Sequence, residues 1–383
     1  MTTPLAVRYT AARTLTTGPA ETAAPGPGEV ELAPAYVGIC STDLHIFRGD
    51  MDARVKTPAV IGHEMSGRVL RVGAGVEGFA PGDPVTVMPL RWDGTCPACL
   101  RGHRHVCQNL DFIGIDSPGA MQQRWTVPAA TLVRLPESLP LDRAALVEPT
   151  AVAVHDVGRA GVRDGDRVVV VGAGPVGVLI AVVARAAGGD VRVVEPNAHR
   201  RRLAEQLGLR TWDPSADSAD GDDDGDGDGD VLERVREWTG DAGADVAFEV
   251  SGAEAGVQTA VDVLAVRGRL CLVAIHPRPR PVNLHRFFWR ELTLIGARLY
   301  DREDFETAVR LVAGGTVPAE RLISRVVPLA DALGAFQSLE AGHDVKVLVD
   351  CTDSSSEGVG IPMDKLELGG DVSVVERLRA WDF

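Results

Sequence analysis

Apolar residues follow two different rhythms along this chain. Up to about residue 145 they come in short runs, such as Glu29 to Val37, Met65 to Val72 and Pro84 to Pro89, separated by turns rich in Gly and Pro. That rhythm predicts short strands in an irregular, mostly β domain. From Arg167 the pattern changes. Four valines complete the run Arg167–Val171, and a helical stretch follows through Ala187. Val191–Val194 reads as a strand and Ala198–Leu207 as its helix. Beyond an acidic tract come a helix over Val231–Thr239, a strand over Asp245–Val250, a helix over Ala253–Leu264 and a strand over Arg269–Ala274. Strands alternating with helices predict βαβ units, hence a parallel sheet covered on both faces. From about Tyr300 the pattern loosens. A helix (Phe305–Val312), a strand (Leu322–Val327), a helix (Ala330–Leu339) and a strand (Val345–Val349) are expected, and 351–383 read as an added tail.

At 383 residues and 45% apolar content the chain can build more than one core, so the two rhythms read as two domains. Net charge is -15, but nine Asp and no Lys or Arg lie between Asp213 and Asp230, and the remainder is unremarkable. No basic cluster points to nucleic acid. Met1 to Leu15 lacks a basic segment followed by an apolar one, so no secretion signal is read and a cytoplasmic location is expected. Val168 to Ala184 is uncharged and nearly long enough to cross a bilayer. Gly172, Gly174, Pro175 and Gly177 break it in a pattern with another meaning, so no membrane contact is expected. The acidic tract cannot bury a core and is expected to be disordered. Asp222, Asp224, Asp226, Gly227 and Glu233 match a calcium-loop spacing. An Asp-Gly repeat produces that match by chance and no clear helix enters the loop, so no calcium site is expected.

The break at Gly172-Ala173-Gly174-Pro175-Val176-Gly177 fits G-x-G-x-x-G, directly after an apolar strand and opening a helix. Glycines there permit a tight turn and close approach of backbone to a pyrophosphate, while Pro175 and Val176 begin a helix whose free N–H groups favour an anion. About twenty residues on, Glu195 ends the second strand, where a carboxylate accepts from ribose hydroxyls. Glu195 would repel a 2′-phosphate, which favours NAD over NADP; His199, Arg200 and Arg201 follow closely and soften that preference.

Six cysteines without a secretion signal suggest metal ligands more than disulfides. Cys40, His63 and Glu148 are workable zinc ligands, and three protein ligands with an open position make the catalytic form of a zinc site. Cys96, Cys99 and Cys107 form a second group. Cys271, in an apolar strand, reads as core. His155 and His276 read as structural.

Taken together, Cys40-x-Thr42-x-x-His45, Gly62-His63-Glu64, the cysteine group and the glycine motif occur in one order and spacing. This resembles the medium-chain zinc alcohol dehydrogenase family over roughly residues 5–350. Glu148-Pro149 in place of a cysteine resembles the sorbitol, threonine and butanediol dehydrogenase branch, and Tyr300 to Thr307 looks closest to threonine dehydrogenases. The resemblance implies catalytic zinc on Cys40 and His63, with Glu64 or Glu148 ligating directly and the other acting through water. It implies that the Thr42 hydroxyl takes the alcohol proton and that His45 relays it to solvent, histidine being suited to proton exchange near neutral pH. The family's lobe carries four cysteines; aligned on Cys107, the first place falls on Asp93. An Asp93, Cys96, Cys99 and Cys107 structural zinc is therefore expected, with His103 or His105 as substitutes if Asp93 points away. With the rhythm changes, the resemblance implies a GroES-like catalytic domain at 1–147 resuming at 299–350. A doubly wound Rossmann domain lies between, at 148–298, with the acidic insertion 213–230.

The expected activity is hydride transfer between a secondary alcohol or polyol and NAD by a zinc-dependent homo-oligomer, dimer or tetramer. A zinc-free quinone or enone reductase of the same fold conflicts with Cys40, His63 and Glu148, and a non-catalytic nucleotide-binding scaffold conflicts with Thr42 and His45. Phe47, Met51, Trp92 and Arg298 flank the motifs and are candidates to line a substrate pocket.

Overall fold

The computed structural model describes residues 3–21, 23–215, 230–342 and 344–352. It divides into two compact units. Among these residues, one comprises 3–148 and 301–352; the other is Pro149–Tyr300.

The first unit is built on a mostly antiparallel sheet. Its strands run in the order Leu132–Arg134, Pro84–Val87, Glu64–Val72, Glu29–Gly38, Val347–Asp350 and Arg325–Pro328, with Trp125–Pro128 also pairing with Glu29–Gly38. Apolar side chains alternate inward from the central strands, and Val30, Leu32, Val37, Met65, Val69, Val85 and Val87 are buried. Near residue 350 the returning chain pairs antiparallel with Tyr36–Gly38, which puts its last strand beside the end of the strand leading to Cys40. A separate sheet joins Thr14–Pro19, Leu5–Ala11 and Ala59–Val60.

The second unit is a six-stranded, all-parallel sheet in the order Arg210–Trp212, Asp190–Val194, Arg167–Val171, Ala244–Glu249, Leu264–Leu272 and Thr293–Gly296. Its central strand Arg167–Val171 is apolar beyond its first residue, as suits a strand covered by helices on both faces; Val169, Val171, Ala247, Ala260, Leu264 and Leu270 share one core. The uncharged run from Val168 divides into a strand and the helix Pro175–Ala186. No helix among the described residues is long and apolar enough to cross a membrane.

Several elements differ from expectation. The fifth strand begins at Leu264, because Leu264 pairs with Ala244 ahead of a register shift. Expected helix ends at Leu264 therefore retreat to Asp262. The strand expected from Leu322 starts at Arg325, since Ala319–Leu322 is a helical turn. Helices Ser41–Arg48 and Leu284–Arg290 and the edge strands Arg210–Trp212 and Thr293–Gly296 were not expected; the edge strands are too short to show a period. Of the acidic tract, Asp213 pairs with Arg201 at 2.6 Å and Asp230 caps the helix Val231–Thr239. Asp222, Asp224, Asp226 and Gly227 lie outside the described residues, as does the tail from 353.

Candidate active site and metal centres

The strand Glu29–Gly38 ends where Ile39 N–H donates to the carbonyl of Val347. Cys40 then caps the helix Ser41–Arg48, and its own N–H donates to Asp43 Oδ2 at 2.9 Å. That reciprocal cap fixes Cys40 and points Asp43 inward, where it is fully buried. His63 immediately precedes the neighbouring strand, which Glu64 opens in register with Gly38. Ligand atoms of Cys40, His63 and Glu64 lie within 4.8 Å of one another. His63 is 2% and Glu64 1% exposed, so this is an interior centre. The His63 ring packs edge-on against Phe112.

Three further charges surround it. Asp43 Oδ1 faces His63 Nδ1 at 3.7 Å, and neither atom has a hydrogen-bond partner. Lys346, 2% exposed, places its ammonium 2.5 Å from Glu64 Oε2. Glu148, in the first turn of the helix Val147–Ala160, is 3% exposed but is not among the three clustered ligands. Burial works against a charged imidazole, yet Asp43, Cys40 and Glu148 outweigh it and raise the His63 pKa well above its ordinary value. Asp43, Glu64, Glu148 and the Cys40 thiol outnumber the single Lys346 ammonium, so the centre favours a further cation. Thiolate, imidazole and carboxylate together suit zinc.

Thr42 is half-buried at the second position of the same helix, and His45 stands three residues further along the same face. His45 Nδ1 is 3.0 Å from Asp50 Oδ2, and its side chain is a third exposed. Two of the flanking aromatic residues pack against other side chains. Phe47 is buried against Phe336, and Trp92 packs on the cysteine group beneath the Arg104 guanidinium.

Asp93, Cys96, Cys99 and Cys107 form the second cluster, again with ligand atoms within 4.8 Å. Asp93 does not point away. Its Oδ1 accepts from the N–H groups of Thr95 and Cys96 and its Oδ2 from the Asn109 amide, and these donors hold its carboxyl well below the usual range. His105 instead meets Asp301 at 2.9 Å, and His103 is exposed, so neither substitutes as a ligand. Backbone N–H groups of Cys99 and Gln108 donate to Cys96 Sγ, and those of Asp93 and Asn109 to Cys107 Sγ. Such donors favour thiolate, and they lower the Cys96 pKa. Two sulfurs, each about 2.3 Å from a tetrahedral ion, sit ~3.8 Å apart. Cys96 Sγ and Cys107 Sγ are 3.8 Å apart.

In the parallel-sheet unit the glycine motif turns directly after Val171. A Cβ at Gly177 would lie 2.0 Å from the Gly172 carbonyl, so only glycine lets the helix start there. A Cβ at Gly174 would meet nothing within 4 Å, which leaves open space where the motif would seat a pyrophosphate before Pro175 and Val176. Glu195, 4% exposed, accepts from Ala173 N–H at 2.7 Å and Asn197 N–H at 2.9 Å, tying the motif to the second strand's end. The Arg200 guanidinium has no partner among the described residues, whereas Arg201 is engaged with Asp213 and the Glu195 carbonyl. Glu249 was not foreseen. Fully buried at its strand's end, it gathers Ser251, Gly252 and His276 and so joins two loops. That contact gives His276 a structural part, and Cys271 is core as expected.

Two family models match the chain. Residues 26–137 match the alcohol dehydrogenase GroES-like domain and residues 175–314 the zinc-binding dehydrogenase family. The chain is 47% identical to the 2-dehydro-3-deoxy-L-galactonate 5-dehydrogenase of Pseudoalteromonas atlantica, over 86% of this chain and 93% of that one. It is 34% identical to the L-threonine 3-dehydrogenase of Pyrococcus horikoshii, over 85% and 91%. A Sinorhizobium meliloti 1021 protein assigned as a zinc-binding dehydrogenase, solved with NADP bound, superposes with a TM-score of 0.83. It is 29% identical, covering 91% of this chain and 100% of that one. Over the matched length, identity to the 2-dehydro-3-deoxy-L-galactonate 5-dehydrogenase is higher than identity to the threonine dehydrogenase.

Proposed function

We propose, from the premise that this chain belongs to the medium-chain zinc-dependent alcohol dehydrogenase family, that it oxidises a secondary hydroxyl of a polyhydroxylated substrate, a polyol or sugar acid, and delivers the hydride to NAD. The observation that carries this reading is the interior Cys40, His63 and Glu64 set within its cage of charge. The sugar-acid preference rests on the 47% identity to a sugar-acid dehydrogenase.

Cys40, His63 and Glu64 would hold the zinc, which when bound supplies a Lewis acid that makes an alcohol hydroxyl acidic. Asp43 orients His63 from behind, as outer carboxylates do for ligating histidines. Glu148 contributes negative charge to the same centre. The Thr42 hydroxyl takes the alcohol proton, and His45, oriented by Asp50 and part-exposed, hands it to solvent. Gly172, Gly174 and Gly177 leave room for the pyrophosphate, and the helix that Pro175 opens offers it the free N–H groups that begin at Val176. Glu195 receives the adenosine ribose and favours NAD, while the unpaired Arg200 leaves some tolerance for NADP. Asp93, Cys96, Cys99 and Cys107 hold a structural zinc that takes no part in hydride transfer. Residues 1–147 and 299–350 act as one catalytic domain interrupted by the nucleotide domain.

A homo-oligomer is proposed because the edge strand Thr293–Gly296 leaves Leu294 exposed, near a helix that exposes Leu284, Phe288 and Trp289. The cytoplasm, where thiols stay reduced, is the proposed compartment. The test is a panel of polyols, sugar acids and 3-hydroxy amino acids with both cofactors, read at the nicotinamide absorbance. Turnover is expected with a sugar acid or polyol, with higher kcat/KM for NAD. No turnover by zinc-loaded protein on the whole panel would sink the reading. Higher kcat/KM with NADP would overturn the cofactor assignment.

A further inference from the structure

We infer that Lys346 is a positioning residue for the metal centre: it holds one oxygen of Glu64, so that Glu64 offers only its other oxygen to a metal on Cys40 and His63. The inference rests on the zinc reading above and deepens it.

Lys346 lies immediately before the strand Val347–Asp350 and 282 positions from Glu64. Its backbone is fixed on both sides. The Lys346 carbonyl accepts from Ser324 N–H at 2.8 Å, and the next carbonyl, Val347, accepts from Ile39 N–H at 3.0 Å. The ammonium donates to Glu64 Oε2 at 2.5 Å and to the Ile39 carbonyl at 3.2 Å, so it ties Glu64 to the residue preceding Cys40. From the other side Oε2 lies against Gly38, where a Cβ would come within 2.2 Å of it. Oε2 is thus clamped between a buried cation and a backbone without a side chain. Oε1 has no hydrogen-bond partner among the described residues.

The consequence concerns coordination number. A catalytic zinc site has three protein ligands and one open position. A carboxylate free to bind through both oxygens would take that position itself. Removing one partner of a buried ion pair leaves the other charge uncompensated, and a nearby metal ion is the remaining cation. Lys346 therefore keeps Glu64 to one oxygen and leaves the fourth place to substrate.

Cobalt(II) reports this directly through its d–d absorption, measured with and without azide as a probe of an open position. Subtracting the Cys40→Ala spectrum isolates this centre from the cysteine lobe. The parent and K346R are expected to shift on adding azide. K346M is expected to retain the metal, show a changed spectrum, lose the azide shift and release zinc to a chelator more slowly. A K346M spectrum and azide shift matching the parent would overturn the inference. Should K346M fail to fold, E64Q and the double variant K346M/E64Q carry the test. Because Lys346 acts only through Glu64, their cobalt spectra should coincide, and a difference between them overturns the inference. A parent spectrum identical to that of Cys40→Ala would instead overturn the zinc reading itself.

Discussion

The two ligand clusters of the first unit are built on opposite principles. At Cys40, His63 and Glu64 each donor is of a different type, and the neighbours are charged side chains: Asp43, Glu148 and Lys346. At Asp93, Cys96, Cys99 and Cys107 the donors are mostly sulfur, and their neighbours are backbone N–H groups supplied by one short stretch of chain. Backbone amides hold a fixed charge distribution in a fixed place, which suits a closed site that only has to stay folded. Charged side chains, two of them (Glu148 and Lys346) brought from distant parts of the chain, adjust the electrostatics of a reacting centre, at the price of depending on the whole fold. The difference separates a site for chemistry from a site for structure, and it can be tested from each side.

The largest effect is expected at the first cluster. Cys40→Ala or His63→Ala removes a ligand from the centre and should take turnover below detection, while NAD affinity and the melting temperature stay near those of the parent. Activity within tenfold of the parent would erase the distinction between the clusters. Asp43→Asn should be next. It keeps the cap to Cys40 N–H through the amide oxygen but removes the charge facing His63. Metal affinity at this centre should fall about 10–100-fold, with the lobe's metal retained. Loss of both metals in parallel would mean that the clusters are not independent.

How far these sites could be read in the sequence follows the same division. Cys96, Cys99 and Cys107 lie close enough in sequence for their spacing to suggest a metal group, and Asp93 was added through the resemblance to a four-cysteine lobe aligned on Cys107. Cys40 and His63 were legible through their motifs. Asp43 was within reach, being three residues after a helix-capping Cys40, but the helix there is only eight residues long and shows little period. Lys346 gave a fainter sign, a lone lysine inside the apolar run Val345 to Val349, and nothing local says that its partner is Glu64. Glu249 was hidden for a similar reason, since its role depends on two loops meeting at the end of one strand. The βαβ half was readable because buried parallel strands are continuous apolar runs; its edge strands, with only one neighbour, were not. The packing of Phe47 on Phe336 and of Trp92 on the cysteine group was not legible either, because nearness to a motif in sequence does not say on which side of a helix or lobe a ring packs.

A chelator should also distinguish the clusters by rate. Three protein ligands with an open position admit a competing ligand, whereas four close the ion off. Stepwise treatment should therefore remove activity with the first metal equivalent, before the melting temperature changes. Simultaneous loss of both would place the two centres in one cooperative unit.

The smallest expected effect is at Asp93, and it needs two substitutions to interpret. Its carboxylate has two separable tasks. Oδ1 accepts from Thr95 and Cys96 N–H and so shapes the turn into the cysteines, and a carboxylate has lone pairs left over to ligate a metal. Asp93→Asn keeps an oxygen for the turn but is a poor ligand. Asp93→Cys loses the turn acceptor but supplies a fourth thiolate. If Asp93 ligates the metal, Asp93→Asn should lose the lobe's zinc and melt a few degrees lower, since about 1 kcal/mol shifts a domain of this size by roughly 2–4 °C. Asp93→Cys should then hold zinc at least as tightly as the parent, with kcat unchanged in both variants. If Asp93 only shapes the turn, the order reverses: Asp93→Asn behaves as the parent, and Asp93→Cys is the variant that melts early. Metal content per chain and the melting temperature of the two proteins, measured side by side, decide between these outcomes.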